Sequence, residues 1–430
     1  MAENNSQSEL GFASVWSLAT GGMVGGGIYT ALGVIVAISI QWSWLSFLIA
    51  GLIAFTSAYS YVKLATHFEE SGGAFEYLRE VNRKGLAGGL SWMLIIGYVL
   101  TIALYAFAFG HYIAYGFGMD TLTTRALAIG IVAAIIGLNL MGVGKLASVE
   151  IFIVWTNLAA LLLLGIYGLF HFDSIQLMAG TEPRAWWSAP IGAAATFVSY
   201  EGFQLLTYDY DEIKKPEKIL TPAILSDVAF VIVIYIIVTI GAVSLAGALT
   251  TITQKQVALA VAAEQALGLP GLILLVTAAA FATAAAINST LFSTANLAKR
   301  IAKDGEFPKW MEHQNSNNVP DRAIILIGIF AAILAVTGSL STLVEAASLV
   351  FLFTFGTVNY LAYRHINAQA WVSMTGLLLS GFIMIFLFSR LIFLAPVALS
   401  IIAFLSFVVI FVRPTILQNV KTDGDQDDEQ

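Results

Sequence analysis

Glu201 stands inside an otherwise apolar run, flanked by Ser199, Tyr200 and Gly202. A carboxyl at membrane depth is costly, and it is kept where it exchanges a proton, meets a cation or holds irregular backbone. The second run with chemical consequences is Gly21-Gly22-Met23-Val24-Gly25-Gly26-Gly27-Ile28-Tyr29, with five glycines in seven positions. Glycine inside a helix costs about 1 kcal/mol relative to alanine, so this run predicts a helix break. A break frees N–H and C=O groups that cannot face lipid and must line an enclosed cavity or bind something polar. The chemistry on offer is recognition of charge by main chain and one carboxyl, with no bond making required. Other chemistries lack their residues. There is no cysteine, the five histidines (His67, His111, His171, His313, His365) form no metal pattern, and neither a Gly-x-Ser-x-Gly elbow nor a P-loop is present. The expectation is a protein that is not an enzyme and needs no cofactor or metal.

The elements that must position these residues are membrane spans. Hydrophobic residues make up 58% of the 430 and charged ones 11%, a composition outside that of soluble domains. With about 20 apolar residues per span, the chain reads as twelve: 11–40, 42–66, 86–117, 123–141, 146–171, 187–209, 222–248, 270–300, 322–338, 342–363, 368–388 and 391–411. In that arrangement fifteen lysines and arginines between Arg79 and Lys421 fall on one side, against Arg125, Arg184, Lys255 and Arg390 on the other. Basic residues mark the cytoplasmic side, so both termini are expected there, at a cell membrane. The net charge of −7 owes much to the tail from Asp423 to Glu429, which reads as a solvated end. Met1 to Glu9 lack the basic region of a cleaved signal peptide, so the first span is expected to be retained.

The two interrupted segments are spans one and six, five apart. That interval is what two inverted five-helix repeats would give, each opening on a broken helix, with a ligand held where the breaks meet. The alternative is a pair of glycine kinks serving close packing. The implied division is a tail over 1–10, a first repeat over 11–171, a second over 187–363, two more helices over 368–411 and an acidic tail over 412–430.

These residues resemble the amino acid–polyamine–organocation transporters, in their amino acid permease branch. Gly25-Gly26-Gly27-Ile28-Tyr29 is similar to that family's break in helix 1. Phe197-Val198-Ser199-Tyr200-Glu201-Gly202-Phe203, followed by Asp211 to Lys218, is similar to its helix 6 and the loop beyond. Ala298 to Pro308 is similar to its exit from helix 8. The resemblance covers nearly the whole chain. It implies an all-α membrane fold of about twelve helices, a LeuT-like 5+5 inverted repeat with helices 1 and 6 broken and two helices added.

For the site, the resemblance implies an α-amino acid as substrate. Its carboxylate would meet the N–H groups of Gly26 and Gly27, with Gly25 allowing close approach, in keeping with the partial positive charge of a helix N-terminus. Its ammonium would meet the carbonyls of Met23, Val198 and Glu201, with Ser199 and Gly202 nearby. Selectivity would come from Tyr29, Tyr200, Phe203, Tyr98, Ile102 and Tyr105, large apolar side chains whose ordinary role is packing. Glu201 could carry a coupling proton, alternating between charged and neutral as the cavity opens to each side, or meet a cationic substrate side chain. It could also simply hydrogen-bond a neighbouring tyrosine.

Several proton-coupled relatives in that family place a lysine in helix 5, where this chain has Asn157. A sodium ion would look to the carbonyls of Gly21 and Val24 and the hydroxyl of Thr283, but Ala284 offers no second hydroxyl. The reading leans to a proton, with sodium coupling or exchange as alternatives. Partners are then a small-molecule substrate, the coupling ion and the bilayer, with no nucleic acid and an open oligomeric state. Three smaller expectations complete the picture. Glu69, Glu70, Glu76, Arg79 and Glu80 form a solvated amphipathic connection. Thr253 to Leu267 is an external helix over the cavity. Trp186 and Trp187 anchor span six at the interface. Polyamines as substrate, an ion channel and a membrane-embedded enzyme are the competing functions, and the lone acid between two breaks fits a carrier better than a continuous ion path.

Overall fold

The computed structural model describes residues 10–69, 71, 73–80, 84–142, 147–394 and 400. The twelfth predicted span beyond Leu394 except Ser400, the acidic tail, and Glu70, Arg83 and Lys145 lie outside the described residues. Among the described residues fifteen α-helices run in order: α1 (Phe12–Val24), α2 (Gly27–Ser39), α3 (Ser43–Phe68), α4 (Gly73–Glu80), α5 (Lys84–Phe117), α6 (Thr121–Leu140), α7 (Ala147–Phe170), α8 (Ser188–Thr196), α9 (Pro216–Ala246), α10 (Ala248–Thr253), α11 (Ala258–Leu267), α12 (Leu269–Lys303), α13 (Asp321–Thr337), α14 (Leu340–His365) and α15 (Ala370–Leu394). Eight stretches among the described residues are long and apolar enough to cross a bilayer, the first of them running from Phe12 to Phe68 through α1, α2 and α3. This is a multi-pass membrane protein.

Burial divides the spans into an inner and an outer set. The apolar window within Phe12–Phe68 is 94% buried, whereas that of α6 is 22% buried. A helix apolar on all sides has no polar face to offer water, so the inner spans pack in protein and the outer ones turn side chains such as Phe152 and Leu163 of α7 toward lipid. At the centre, α1 and α2 lie beside the segment from α8 to Glu212, walled by α3, α5, α9, α12 and α14.

Local chemistry sets several ends. Asp120 caps α6, its carboxylate accepting from the Thr123 N–H at 2.9 Å. Pro216 opens α9 at a position where no N–H is needed, and Gly247, at φ +78°, ends it. Leu10 pairs with the far end of the second interrupted segment: its N–H reaches Glu212 O at 2.9 Å, and its carbonyl accepts from the Lys214 N–H at 3.0 Å.

Two peripheral expectations need correction. The connection around Gly73 is not a solvated helix. Glu76 is buried, paired with Arg79 at 3.2 Å, and Arg79 reaches Asp304 after α12 at 2.9 Å. The tyrosine ring of Tyr208 occupies the space a side chain on Gly73 would need, which draws α4 inward. The external helix expected over Thr253 to Leu267 begins only at Ala258, as α11, and the stretch before it, where Lys255 lies against Gly33 of α2, follows the end of α10. Trp186 and Trp187 are exposed before α8, as an interfacial anchor requires.

Candidate functional site

The first break falls at Gly25 and Gly26, between α1 and α2. Gly25 keeps helical angles and closes the last turn of α1 on Gly21 O at 2.9 Å, while Gly26, at φ −140°, redirects the chain. The N–H groups at the start of α2 have no intrahelical acceptor until Thr30, whose N–H reaches Gly26 O at 3.2 Å. At the other side of the break, Val24 O accepts from the Asn157 amide at 3.3 Å, and Tyr29 donates to Asn157 Oδ1 at 2.5 Å. One asparagine on α7 thus holds both edges of the break.

The second break is more extensive. After Thr196 the chain tightens into a 3-10 turn over Phe197–Tyr200, Glu201 is extended, and Gly202 takes φ +132°, a region open in practice only to glycine. A further 3-10 segment, Phe203–Glu212, follows. Ten residues of 3-10 geometry is unusual, since its hydrogen bonds are poorer than those of an α-helix.

The two breaks meet backbone to backbone. A Cβ on Gly22 would lie 2.9 Å from Gly202 Cα, and one on Gly202 would lie 2.6 Å from Gly22 Cα. A Cβ on Gly27 would lie 2.8 Å from Ser199 Cα. The Ser199 hydroxyl donates to Gly27 O at 3.3 Å. From α9, the Tyr235 hydroxyl stands 2.9 Å from Met23 O and 2.8 Å from Ser199 O. One hydroxyl carries one proton, so Tyr235 serves one of these carbonyls at a time and leaves the other ready for a second donor.

Glu201 is fully buried in a polar chain. Gln204 donates to its Oε1 at 3.0 Å and Tyr105 to its Oε2 at 3.4 Å; Gln204 also reaches Tyr98, whose hydroxyl is 2.7 Å from that of Tyr208. The Tyr105 ring lies directly on Gly26, which would admit no side chain there. Of the aromatics expected to wall the site, Tyr98, Tyr105 and Tyr29 stand at the breaks. Tyr200 turns away, donating to Phe47 O of α3 at 2.8 Å, and Phe203 packs against Tyr61 and Phe355. Ile102 is buried in the core. Val198 is held through its N–H by Ser348 of α14 at 3.1 Å, and its carbonyl accepts from the Glu201 N–H at 3.3 Å.

A cavity of about 150 Å³ reaches this crossing from the end of α1 nearest Leu10. Thr20, Gly21, Gly22, Val24, Gly25, Glu150, Asn157, Gly202, Glu212 and Ala282 are among its lining residues. Gly21, Val24 and Asn157 are therefore brought together. Thr283 is not among the lining residues, and its hydroxyl donates to Ala279 O of its own helix at 2.6 Å.

A sequence model of the family described as amino acid permease matches residues 10–422. The chain belongs to the amino acid permease family. An uncharacterized protein of Methanocaldococcus jannaschii is 32% identical over 310 residues, covering 70% of this chain and 71% of its own. The inner membrane transport protein YbaT of Escherichia coli is 28% identical over 377 residues, 84% of each chain. Cationic amino acid transporter 7, chloroplastic, of Arabidopsis thaliana is 26% identical over 373 residues, covering 81% of this chain and 64% of its own.

Two residues of this family member at the crossing, Gln204 and Tyr235, and a third two helical turns away from it, Asp227, lie outside the sequence expectations. Gln204 stands three residues after Glu201, the spacing that places two side chains on one helical face. Asp227 is a lone acid in the apolar run of α9 and carries the same signal as Glu201. Tyr235 carries no signal, because an aromatic in an apolar helix is ordinary packing.

Proposed function

We propose that this protein is a secondary active transporter that moves an α-amino acid across the cell membrane by alternating access, coupled to a proton. The observation that carries the proposal is the crossing of two interrupted segments at Gly22 and Gly202, beside the free N–H end of α2 and a partly served pair of carbonyls at Met23 and Ser199. A zwitterion matches that arrangement. Its carboxylate suits the amides of Gly26 and Gly27, and its ammonium suits Met23, Val198 and Glu201 on the opposite side. The fold is proposed as two inverted repeats, 11–171 and 187–363, with helices over 368–411 added and both termini cytoplasmic.

The coupling proton is proposed to exchange on Glu201, whose partners Gln204 and Tyr105 donate to it without neutralising it. Sodium finds less support, because Val24 O is held by Asn157 and the Thr283 hydroxyl is bound within α12. A cationic amino acid is the second reading. The buried carboxyl of Glu201 would receive its side chain, and the Arabidopsis relative's name carries that specificity.

Uptake of labelled amino acids into liposomes, with a proton gradient and then a sodium gradient, tests the proposal. A proton gradient should stimulate saturable uptake, and Glu201→Gln should lower it on the order of tenfold or more, since hydrogen bonds to charged groups are worth about 1.5–3 kcal/mol. Undiminished, still proton-driven uptake in Glu201→Gln would remove Glu201 as the carrier. Unitary conductance steps would replace the carrier with a channel.

A further inference from the structure

Asp227 lies in α9, eleven residues beyond Pro216, and is fully buried. Its carboxyl does not belong to the network around Glu201. Oδ1 stands 2.5 Å from the Thr20 hydroxyl of α1, and Oδ2 has no hydrogen-bond partner. Among the described residues no lysine, arginine or histidine forms an ion pair with it.

The protons around Thr20 do not suffice for an ionised Asp227. The Thr20 hydroxyl is 2.9 Å from Trp16 O and 2.5 Å from Asp227 Oδ1, both acceptors if Asp227 is charged, and it has one proton to give. A carboxylate would also leave a buried anionic oxygen with no donor and no counter-ion, the costliest form of an unmade hydrogen bond. A neutral acid resolves both. Its proton lies on Oδ1 and is donated to Thr20 Oγ1, the Thr20 proton goes to Trp16 O, and Oδ2 remains as an uncharged carbonyl oxygen.

We infer that Asp227 is a second proton-binding site, separate from Glu201, whose occupancy is tied to the position of α1. Thr20 connects the acid to the cavity, because it lines the same 150 Å³ space as Gly21 and Glu150. That volume has room for several waters, the acceptors a departing proton requires. Loss of the proton leaves a carboxylate that competes with Trp16 O for the Thr20 hydroxyl, and α1 must shift or admit water for both acceptors to be served. On the neighbouring elements, Glu150 of α7 and Glu212 line the cavity. On α9 itself, Tyr235 stands two turns further on, at the crossing. Tyr59 and Tyr61 of α3 and Glu264 of α11 are turned to other partners, namely Ala368 O, the rings of Phe203 and Phe355, and the Tyr115 hydroxyl.

The inference rests on the transport reading only for its use, so the first test does not require transport. Infrared spectra of the purified protein should contain a protonated-carboxyl C=O band that Asp227→Asn removes and Glu201→Gln leaves in place. Thr20→Val should shift that band by deleting its hydrogen-bond acceptor, which assigns it even if Asp227→Asn folds poorly. A band unchanged in both Asp227→Asn and Thr20→Val overturns the inference, as does a spectrum with only the ionised form at neutral pH. In liposomes, Asp227→Asn should retain substrate exchange while losing stimulation by a proton gradient; unchanged stimulation would overturn the link to α1. If the wild type moves no amino acid, the transport reading fails while the infrared band still decides the site.

Discussion

The two breaks differ in how much chain they consume. At the first, α-helix resumes after two glycines, and a single asparagine on a neighbouring helix holds Val24 O and receives Tyr29. At the second, α-helical geometry is abandoned from Phe197 to Glu212, and side chains of the segment itself take part: Gln204 accepts from the Gly202 N–H at 3.0 Å and donates to Glu201. The first break is a gap in a rod, with its polar ends facing each other. The second is a short irregular loop held at membrane depth by its own polar residues, a form tolerated only where protein or a cavity covers it. On the proposed function the two would do different work: main-chain recognition at the first, a titratable side chain at the second.

Substitutions at the glycines should separate the two most sharply. Gly202→Ala should abolish uptake and give the largest fall in thermal midpoint, because φ +132° costs a side chain on the order of 1–3 kcal/mol and its Cβ would meet the backbone of Gly22. No partner substitution can relieve a clash with main chain. Gly25→Ala keeps helical angles, and its Cβ would meet the main-chain oxygen of Gly21 and, at 2.9 Å, the Cβ of Ala286. Its fall in thermal midpoint should be smaller than that of Gly202→Ala because its backbone angles carry no strain, Ala286→Gly should relieve only part of the loss, and an equal fall at both breaks would undo the comparison. A smaller effect is expected at the joint between the breaks. Tyr235→Phe leaves Met23 O and Ser199 O without their donor, a loss of about 1–3 kcal/mol, so counterflow should weaken on the order of tenfold. The last concerns Asn157→Ala, which leaves the buried Tyr29 hydroxyl and Val24 O without their partner and should cost about 1–3 kcal/mol in thermal stability.

The first break was legible in the sequence because glycine acts locally: five glycines in seven residues destabilise a helix wherever they stand. The second was legible through Glu201, which violates the apolar rule of its surroundings. What lay beyond the sequence depended on neighbours distant along the chain. Tyr200 and Phe203 sit in the right segment, yet their direction is fixed by Phe47 of α3 and Phe355 of α14. Thr283 has the right residue type, but a hydroxyl in a helix commonly bonds its own preceding turn, and this one does. The acidic connection at Glu76 read as solvated because charge patterning cannot reveal that Arg79 and Asp304 meet across two elements.

The pairing of Leu10 with Glu212 and Lys214 joins the start of α1 to the end of the second irregular segment at the mouth of the cavity, where Leu10 and Glu212 both line the wall. Widening that mouth requires the two backbone hydrogen bonds to break together. The amide hydrogens of Leu10 and Lys214 therefore form a clock: their exchange with deuterated solvent counts how often this mouth of the cavity opens. On the proposed alternating access, a substrate that closes this mouth should slow both amides equally, while the capping amide of Thr123 at the start of α6 keeps its own pace.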